Sequence, residues 1–277
     1  MNYLRILPTN ILSWGQWRCR LIVTIATNLE SSVLLVNDQP PVYYLQPEDD
    51  MIFPNPACAG VDEPIAVGGD LSPKRLLAAY RSGIFPWFSE GGLVFWYSPD
   101  PRLVLFPAQL YTSRSLRKFM RNCGWHVRFD RNFEQVITCC ARVQREHDDH
   151  KTWISRDFIE AYTHMHRLGY GHSVEVLDSD GEMIGGLYGL SLGRTFFGES
   201  MFSLRSNASK VALQALATVA QNWHFDFIDC QVPSEHLLSL GAQKMNRNEF
   251  LHRLETALEA GDRVGRWDIE INVANLA

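Results

Sequence analysis

The chain has 277 residues, 46% of them hydrophobic and 21% charged, with a formal net charge of −5. That length supplies one large domain or two smaller ones, and that composition excludes a disordered or collagen-like chain. The mild negative charge argues against sequence-blind coating of DNA and leaves room for a local basic patch.

At the N-terminus, Arg5, Arg18 and Arg20 stand near the short apolar run LIVTIA. The run is too short and too interrupted for an export signal, and no apolar stretch reaches the roughly 18 residues of a membrane span. Residues 1–41 are therefore expected to form a poorly ordered extension. The six cysteines show no CxxC spacing, which points to buried thiols in a reducing compartment and to a cytoplasmic protein.

PPVYYLQPEDD reads as a linker, and a small α/β domain is expected over residues 42–100. In GGDLSPKRLLAAYRSG, Ser72 can cap a helix, Pro73 suits its first turn, and Leu76, Leu77 and Tyr80 supply an apolar side. Gly83 stops it. IFPWF then reads as an aromatic loop, and GLVFWYSPDPR as a short strand entering a proline-rich turn.

Residues 101–277 read as a second, larger domain. SRSLRKFMRN is an amphipathic helix whose Arg114, Arg117, Lys118 and Arg121 form a basic stripe. Such a stripe is either a solvated face or a surface for phosphates. SRDFIEAYTHMHRLG predicts a helix capped by Ser155, with Phe158, Tyr162, Met165 and Leu168 inward. HSVEVLD, MIGGLYGLSL and TFFGESMF predict three strands, the first two joined by an Asp-Gly turn. SNASKVALQALATVAQNW predicts a helix, FDFIDCQV a strand, and SEHLLSLGA a short helix. An antiparallel meander followed by a helix and another strand is an α+β arrangement, and it resembles the GNAT-type N-acyltransferase core.

Several chemistries fit poorly. SLRSNASK has no glycine where acyl-CoA enzymes of that fold cradle a pyrophosphate, so a CoA-dependent N-acetyltransferase is the weaker alternative. GESMF is not a G-x-S-x-G elbow. REHDDHK, with His147 and His150, lacks the H-E-x-x-H zinc pattern, and neither a metal nor a cofactor is expected. His164 and His166 fall within a helix and are expected to do no chemistry.

The acids are harder to dismiss. Strand alternation puts Phe197, Glu199 and Met201 on one face, and Phe225, Phe227, Asp229 and Gln231 on one face. A buried carboxylate must be paired or face something that needs it. Asp229 and Gln231 are thus either a hydrogen-bonded pair that fixes the sheet or groups that receive and orient an amine.

GGDLSPKRLLAAYRSGIFPWF, WYSPDPR, SRSLRK, TWIS, HSVEV, GGLYG, FFGESMFS, ASK, IDCQ and SLGA occur in this order. In that series, from about residue 52 to 256, the chain resembles the bacterial leucyl/phenylalanyl-tRNA–protein transferases. The resemblance implies cofactor-free transfer of leucine or phenylalanine, with methionine as a further candidate, from aminoacyl-tRNA to the N-terminal arginine or lysine of a protein. It places the reaction in the N-degron pathway of protein degradation and implies a monomer. It assigns Asp229 and Gln231 to the reaction centre, Gln231 to the attacking amine and Asp229 to its electrostatic tuning. Glu199 would hold the cationic acceptor residue. Leu187, Phe196, Met201 and Ile228 would form the aminoacyl side-chain pocket, with leucine where some members carry methionine. Trp87 and Trp153 would clasp the terminal adenosine, and the basic stripe would meet the tRNA backbone. A non-catalytic tRNA- or degron-binding module is the other alternative; it would need the stripe but not the acids.

Overall fold

Serine hydroxyls open the first two helices, at Ser72 as the sequence predicts and also at Ser113. Ser72 accepts a hydrogen bond from the Arg75 N–H, and Ser113 accepts one from the Leu116 N–H. The computed structural model describes residues 42–46, 52–142 and 152–277, and the backbone of Val33–Leu34. The rest of the expected extension, and His147 and His150, lie outside the described residues. The chain divides at Asp100, giving two compact units; residues 152–155 belong to the first of them.

The first unit contains β1 (Val33–Leu34), β2 (Val42–Leu45), β3 (Ala66–Gly68), α1 (Pro73–Arg81), β4 (Phe85–Glu90) and β5 (Leu93–Tyr97). Its sheet has the order β1-β2-β3-β5-β4. Two expectations are corrected here. Part of the expected linker is strand β2, and the expected aromatic loop is strand β4. Pro86 hides β4 from a sequence reading, yet a proline is tolerated there because β4 is an edge strand. Gly83 ends α1 at φ 73° and donates its N–H to the Tyr80 carbonyl.

The second unit contains β6 (Arg102–Leu105), α2 (Arg114–Asn122), β7 (His126–Phe129), α3 (Phe133–Arg142) and α4 (Arg156–Arg167). The meander follows as β8 (Gly171–Leu177), β9 (Met183–Leu192) and β10 (Thr195–Ser203). Then come α5 (Ala208–Asn222), β11 (Phe227–Gln231), α6 (Glu235–Ser239), β12 (Gln243–Met245), α7 (Arg247–Leu258) and β13 (Glu270–Asn272). The sheet order is β12-β6-β11-β10-β9-β8-β7-β13. β8, β9 and β10 are antiparallel, and β11 returns parallel to β10 after α5. The fold is α+β, with the strand and helix order expected for a GNAT-like core.

Helices α2 and α5 cover one face of this sheet. Leu116 and Met120 of α2 and Val211, Ala215 and Leu216 of α5 join Leu187, Phe196 and Ile228 in one buried core. The other face carries α3, α4 and α7. Phe158, Tyr162 and Met165 of α4 are fully buried, but Leu168 lies past the helix end and is exposed. Ser155 does not act as the expected cap, since its buried Oγ makes no hydrogen bond among the described residues. Cysteine burial is also less complete than expected. Of the five described cysteines only Cys140 is buried, Cys58 is exposed, and none is bonded to another.

At Gly189 the reason for glycine is direct. A Cβ there would come within 2.0 Å of the Phe197 carbonyl oxygen and 2.6 Å of the Phe196 ring. Without a side chain, β9 lets the Phe196 ring lie across it.

Candidate active site

The period-two alternation breaks where the acids are. The β9–β10 register runs Phe197 to Leu190 and Gly198 to Gly189, then shifts to Ser200 opposite Tyr188 and Met201 opposite Leu187. Glu199 is the extra residue of a bulge. The β6–β11 register likewise pairs Asp229 with Val104 and then Gln231 with Leu103, so Cys230 is extra. A bulge turns the strand and re-aims its side chains.

These shifts correct the expected faces. Phe197 lies opposite Leu190 and Met201 opposite Leu187, which point to opposite sides of β9. Phe196, by contrast, lies opposite Ser191 and so shares a side with Met201 despite their odd spacing. Ile228 sits beside Phe196 across the parallel ladder. Thus Leu187, Phe196, Met201 and Ile228 come together on the side that α5 covers, with Met201 only partly buried against the other three. Phe225 precedes β11 and packs instead near Trp223 and Trp267.

The parallel ladder between β10 and β11 stops at Phe197 and Asp229. Both bulges follow at once, and the strands beyond them are joined by side chains. Gln231 Nε2 donates to Glu199 Oε1 at 2.9 Å, and the Tyr162 hydroxyl donates to Glu199 Oε2 at 3.0 Å. Glu199 and Gln231 are each 8% exposed, whereas Asp229 is fully buried. Glu199 is thus a carboxylate held in place by donors from α4 and β11.

Asp229 is held by a residue the sequence reading does not single out. Arg102 donates from Nε to Oδ1 at 2.9 Å and from Nη2 to Oδ2 at 2.6 Å, and both side chains are fully buried. Oδ1 also accepts the Gln231 backbone N–H at 2.9 Å. Gln231 has φ 62°, in the left-handed region that a residue with a Cβ seldom occupies. Desolvation of the half-buried Cys230 thiol, and then the neighbouring Asp229 charge, push its pKa up. Tyr188 and Ser200, paired across β9 and β10 beside Glu199, each bury a hydroxyl that makes no hydrogen bond among the described residues. Desolvation, followed by the Glu199 charge, raises the Tyr188 phenol well above its ordinary value.

A second buried cluster lies in the HSVEV strand. Asp130 accepts from the Ser173 N–H at 2.8 Å and from the Trp267 N–H at 2.7 Å, and it bonds His172 Nδ1 at 2.8 Å. The His172 ring stacks on Trp267 at 3.8 Å. His166 bonds the Gly171 carbonyl and stacks on Phe133, as a structural histidine does.

The basic helix α2 shows a different arrangement. Arg114, Arg117, Lys118 and Arg121 are all exposed, and none forms an ion pair among the described residues. A groove of about 410 Å³ lies on the same helix, lined by Ser115, Lys118, Phe119, Asn122 and Cys123. Trp87 and Trp153 belong to the first unit, and both are half-buried. Trp87 is itself the extra residue of a bulge, between Pro86 opposite Trp96 and Phe88 opposite Phe95. Its ring meets Tyr97 edge-on at 5.2 Å.

A profile of the leucyl/phenylalanyl-tRNA protein transferase domain matches residues 104–255, and one of that family's N-terminal domain matches residues 69–100. The chain belongs to this family. It is therefore an aminoacyltransferase. A leucyl/phenylalanyl-tRNA–protein transferase of Legionella pneumophila (strain Corby) is 48% identical over 79% of this chain and 96% of that relative. One of Myxococcus xanthus is 49% identical over 82% of this chain and 96% of its own length. Among solved structures, a GCN5-related N-acetyltransferase from Kribbella flavida is 11% identical over 81% of this chain and 86% of that one, with a TM-score of 0.34. Among the described residues, no helix is long and apolar enough to cross a membrane, and no cluster of three or more His, Cys, Asp or Glu side chains is placed to hold a metal.

Proposed function

We propose that the protein transfers leucine or phenylalanine, and methionine as a further substrate, from aminoacyl-tRNA to the N-terminal arginine or lysine of acceptor proteins. The observation that carries this reading is the parting of β10 and β11 beyond Phe197 and Asp229, spanned by the Gln231–Glu199 hydrogen bond. One side of that opening is apolar, from Leu187, Phe196, Met201 and Ile228, and suits a leucyl or phenylalanyl side chain. At the opening stands the Glu199 carboxylate, which suits a guanidinium or ammonium. The acceptor's α-amino nitrogen attacks the ester carbonyl carbon. A C–N bond forms, the bond to the ribose oxygen breaks, the amine gives up a proton and the released ribose oxygen gains one. The ester supplies the driving force, so no nucleotide or CoA is called for.

Gln231 contacts the attacking amine in this scheme, and Asp229 acts on it by holding its backbone N–H. Arg114, Arg117, Lys118 and Arg121 meet tRNA phosphates, with no carboxylate competing for them among the described residues. Trp87 and Trp153 stack on the terminal adenosine, worth about 1–3 kcal/mol per base. The protein acts in the cytoplasm as a monomer, in the degradation of proteins marked at their N-termini.

The test is transfer of radiolabelled leucine from charged tRNA to a peptide beginning with arginine and to one beginning with alanine. Label on the arginine peptide alone is expected. Label on neither, with charged tRNA still bound, would leave an RNA-binding protein and overturn the assignment.

A further inference from the structure

We infer that Arg102 is a positioning residue for the transfer reaction, acting through Asp229 on Gln231. This inference rests on the reading that Gln231 meets the attacking amine. Four facts carry it. The Arg102 guanidinium grips both Asp229 oxygens, at 2.9 and 2.6 Å, with neither side chain exposed. The Asp229 oxygen that Arg102 Nε holds also holds the Gln231 N–H. Gln231 is thereby kept at φ 62°, which a glutamine does not adopt without restraint. From that backbone position its carboxamide reaches Glu199 Oε1.

The direction of the carboxamide is thus set two steps away, by a planar fork that fixes the rotation of a carboxylate. A lysine would carry the same charge and lack the second, parallel contact. The fork is itself seated. Its central carbon lies 4.4 Å from the centre of the Phe250 ring, which is fully buried on α7 and packs against Phe227 of β11. β6 lies between β11 and β12, so Arg102 reaches Asp229 from the neighbouring strand, along the side that Val104 and Asp229 share. Asp229 therefore presents its charge to Arg102 and its spare lone pair to Gln231.

The experiment compares wild type, Arg102→Lys and Gln231→Ala in steady-state transfer to the arginine peptide, with amide hydrogen exchange along β11. Arg102→Lys is expected to lower kcat on the order of 100-fold, as a small misplacement of a reacting group does. KM for peptide and for charged tRNA should stay within about threefold, because neither substrate touches Arg102. Exchange at the Gln231 amide should speed up while that of Ile228 stays slow. A purely structural role would loosen both together.

If Gln231→Ala is slow and Arg102→Lys keeps full kcat, the inference fails and the reading of Gln231 stands. If Gln231→Ala is as fast as wild type, that reading fails and the inference with it. Should Arg102→Lys not fold, the pair Arg102→Met with Asp229→Asn removes both buried charges at once and serves in its place. Turnover slower in that folded pair than in Asp229→Asn alone supports positioning by Arg102. Full turnover would show that Arg102 only balances a buried charge.

Discussion

Asp229 gives its carboxylate to Arg102 and Gln231 inside the protein, whereas the four cations of α2 stand in solvent with no described carboxylate beside them. The first charge is fixed in place where water does not screen it, and losing one partner leaves the other stranded. The second set is mobile, hydrated and screened by salt. Both belong to one unit and, in the proposed reaction, serve a single transfer. Chemistry at a defined angle uses the fixed charge, and capture of a long polyanion uses the mobile ones.

The sharpest way to break this contrast is Asp229→Ala. It leaves the Arg102 guanidinium buried without its carboxylate, and a loss of about 3–5 kcal/mol in denaturant unfolding is expected, with turnover abolished. An unfolding midpoint like that of wild type would mean that the buried pair is not a fixed element.

Glu199→Gln comes next. The amide keeps the size of the side chain but loses the charge, and it meets the Tyr162 and Gln231 donors with only one acceptor oxygen. Transfer to the arginine peptide should fall roughly 10- to 100-fold through the acceptor, with tRNA binding unchanged. Equal losses in both substrates would sink the assignment of Glu199 to the acceptor.

His172 sharpens the comparison through pH. Burial lowers its pKa below the ordinary 6.5, although the Asp130 hydrogen bond and charge oppose this. The unfolded chain then takes up the proton more readily than the folded one. The stability contributed is complete above pH 6.5 and is lost as pH falls through the depressed value. The thermal midpoint should drop between about pH 7.5 and about pH 5.5, and His172→Gln should flatten that drop. Glu175 works in the opposite sense. Its buried carboxyl has a raised pKa, so its contribution is complete below 4.5 and is lost as pH rises through the raised value.

The smallest effect on the fold is expected at α2. Alanine at Arg114, Arg117, Lys118 or Arg121 should leave the unfolding midpoint unchanged. Each replacement should reduce the slope of log affinity for tRNA against log salt by about 0.7–0.9. A change in transfer rate at saturating tRNA would place that residue closer to the chemistry.

Much of the fold is legible in the sequence because its signals are local. Ser72 with Pro73 and Asp180 with Gly181 each specify a cap or a turn within a few residues. The meander and α5 follow from apolar periodicity. β4 escapes such a reading because Pro86 looks like a loop residue until the strand is known to lie at an edge. Leu168 falls on the inward face only if a helical period is continued past the helix end. The candidate site is legible in its residues but not in its faces, because a single extra residue at Glu199 or Cys230 reverses everything after it. Arg102 cannot be found from pattern at all, since its partner is 127 residues away in the chain. The Tyr162 hydroxyl looks like core for the same reason.

The left-handed backbone at Gln231 bears on how this protein can be engineered. A glycine would sit there without strain, so a library screened only for heat resistance should gather Gln231→Gly, which discards the carboxamide that points at Glu199. Directed evolution of a sturdier transferase therefore needs a selection on product formation in every round, or its winners will be durable and inert.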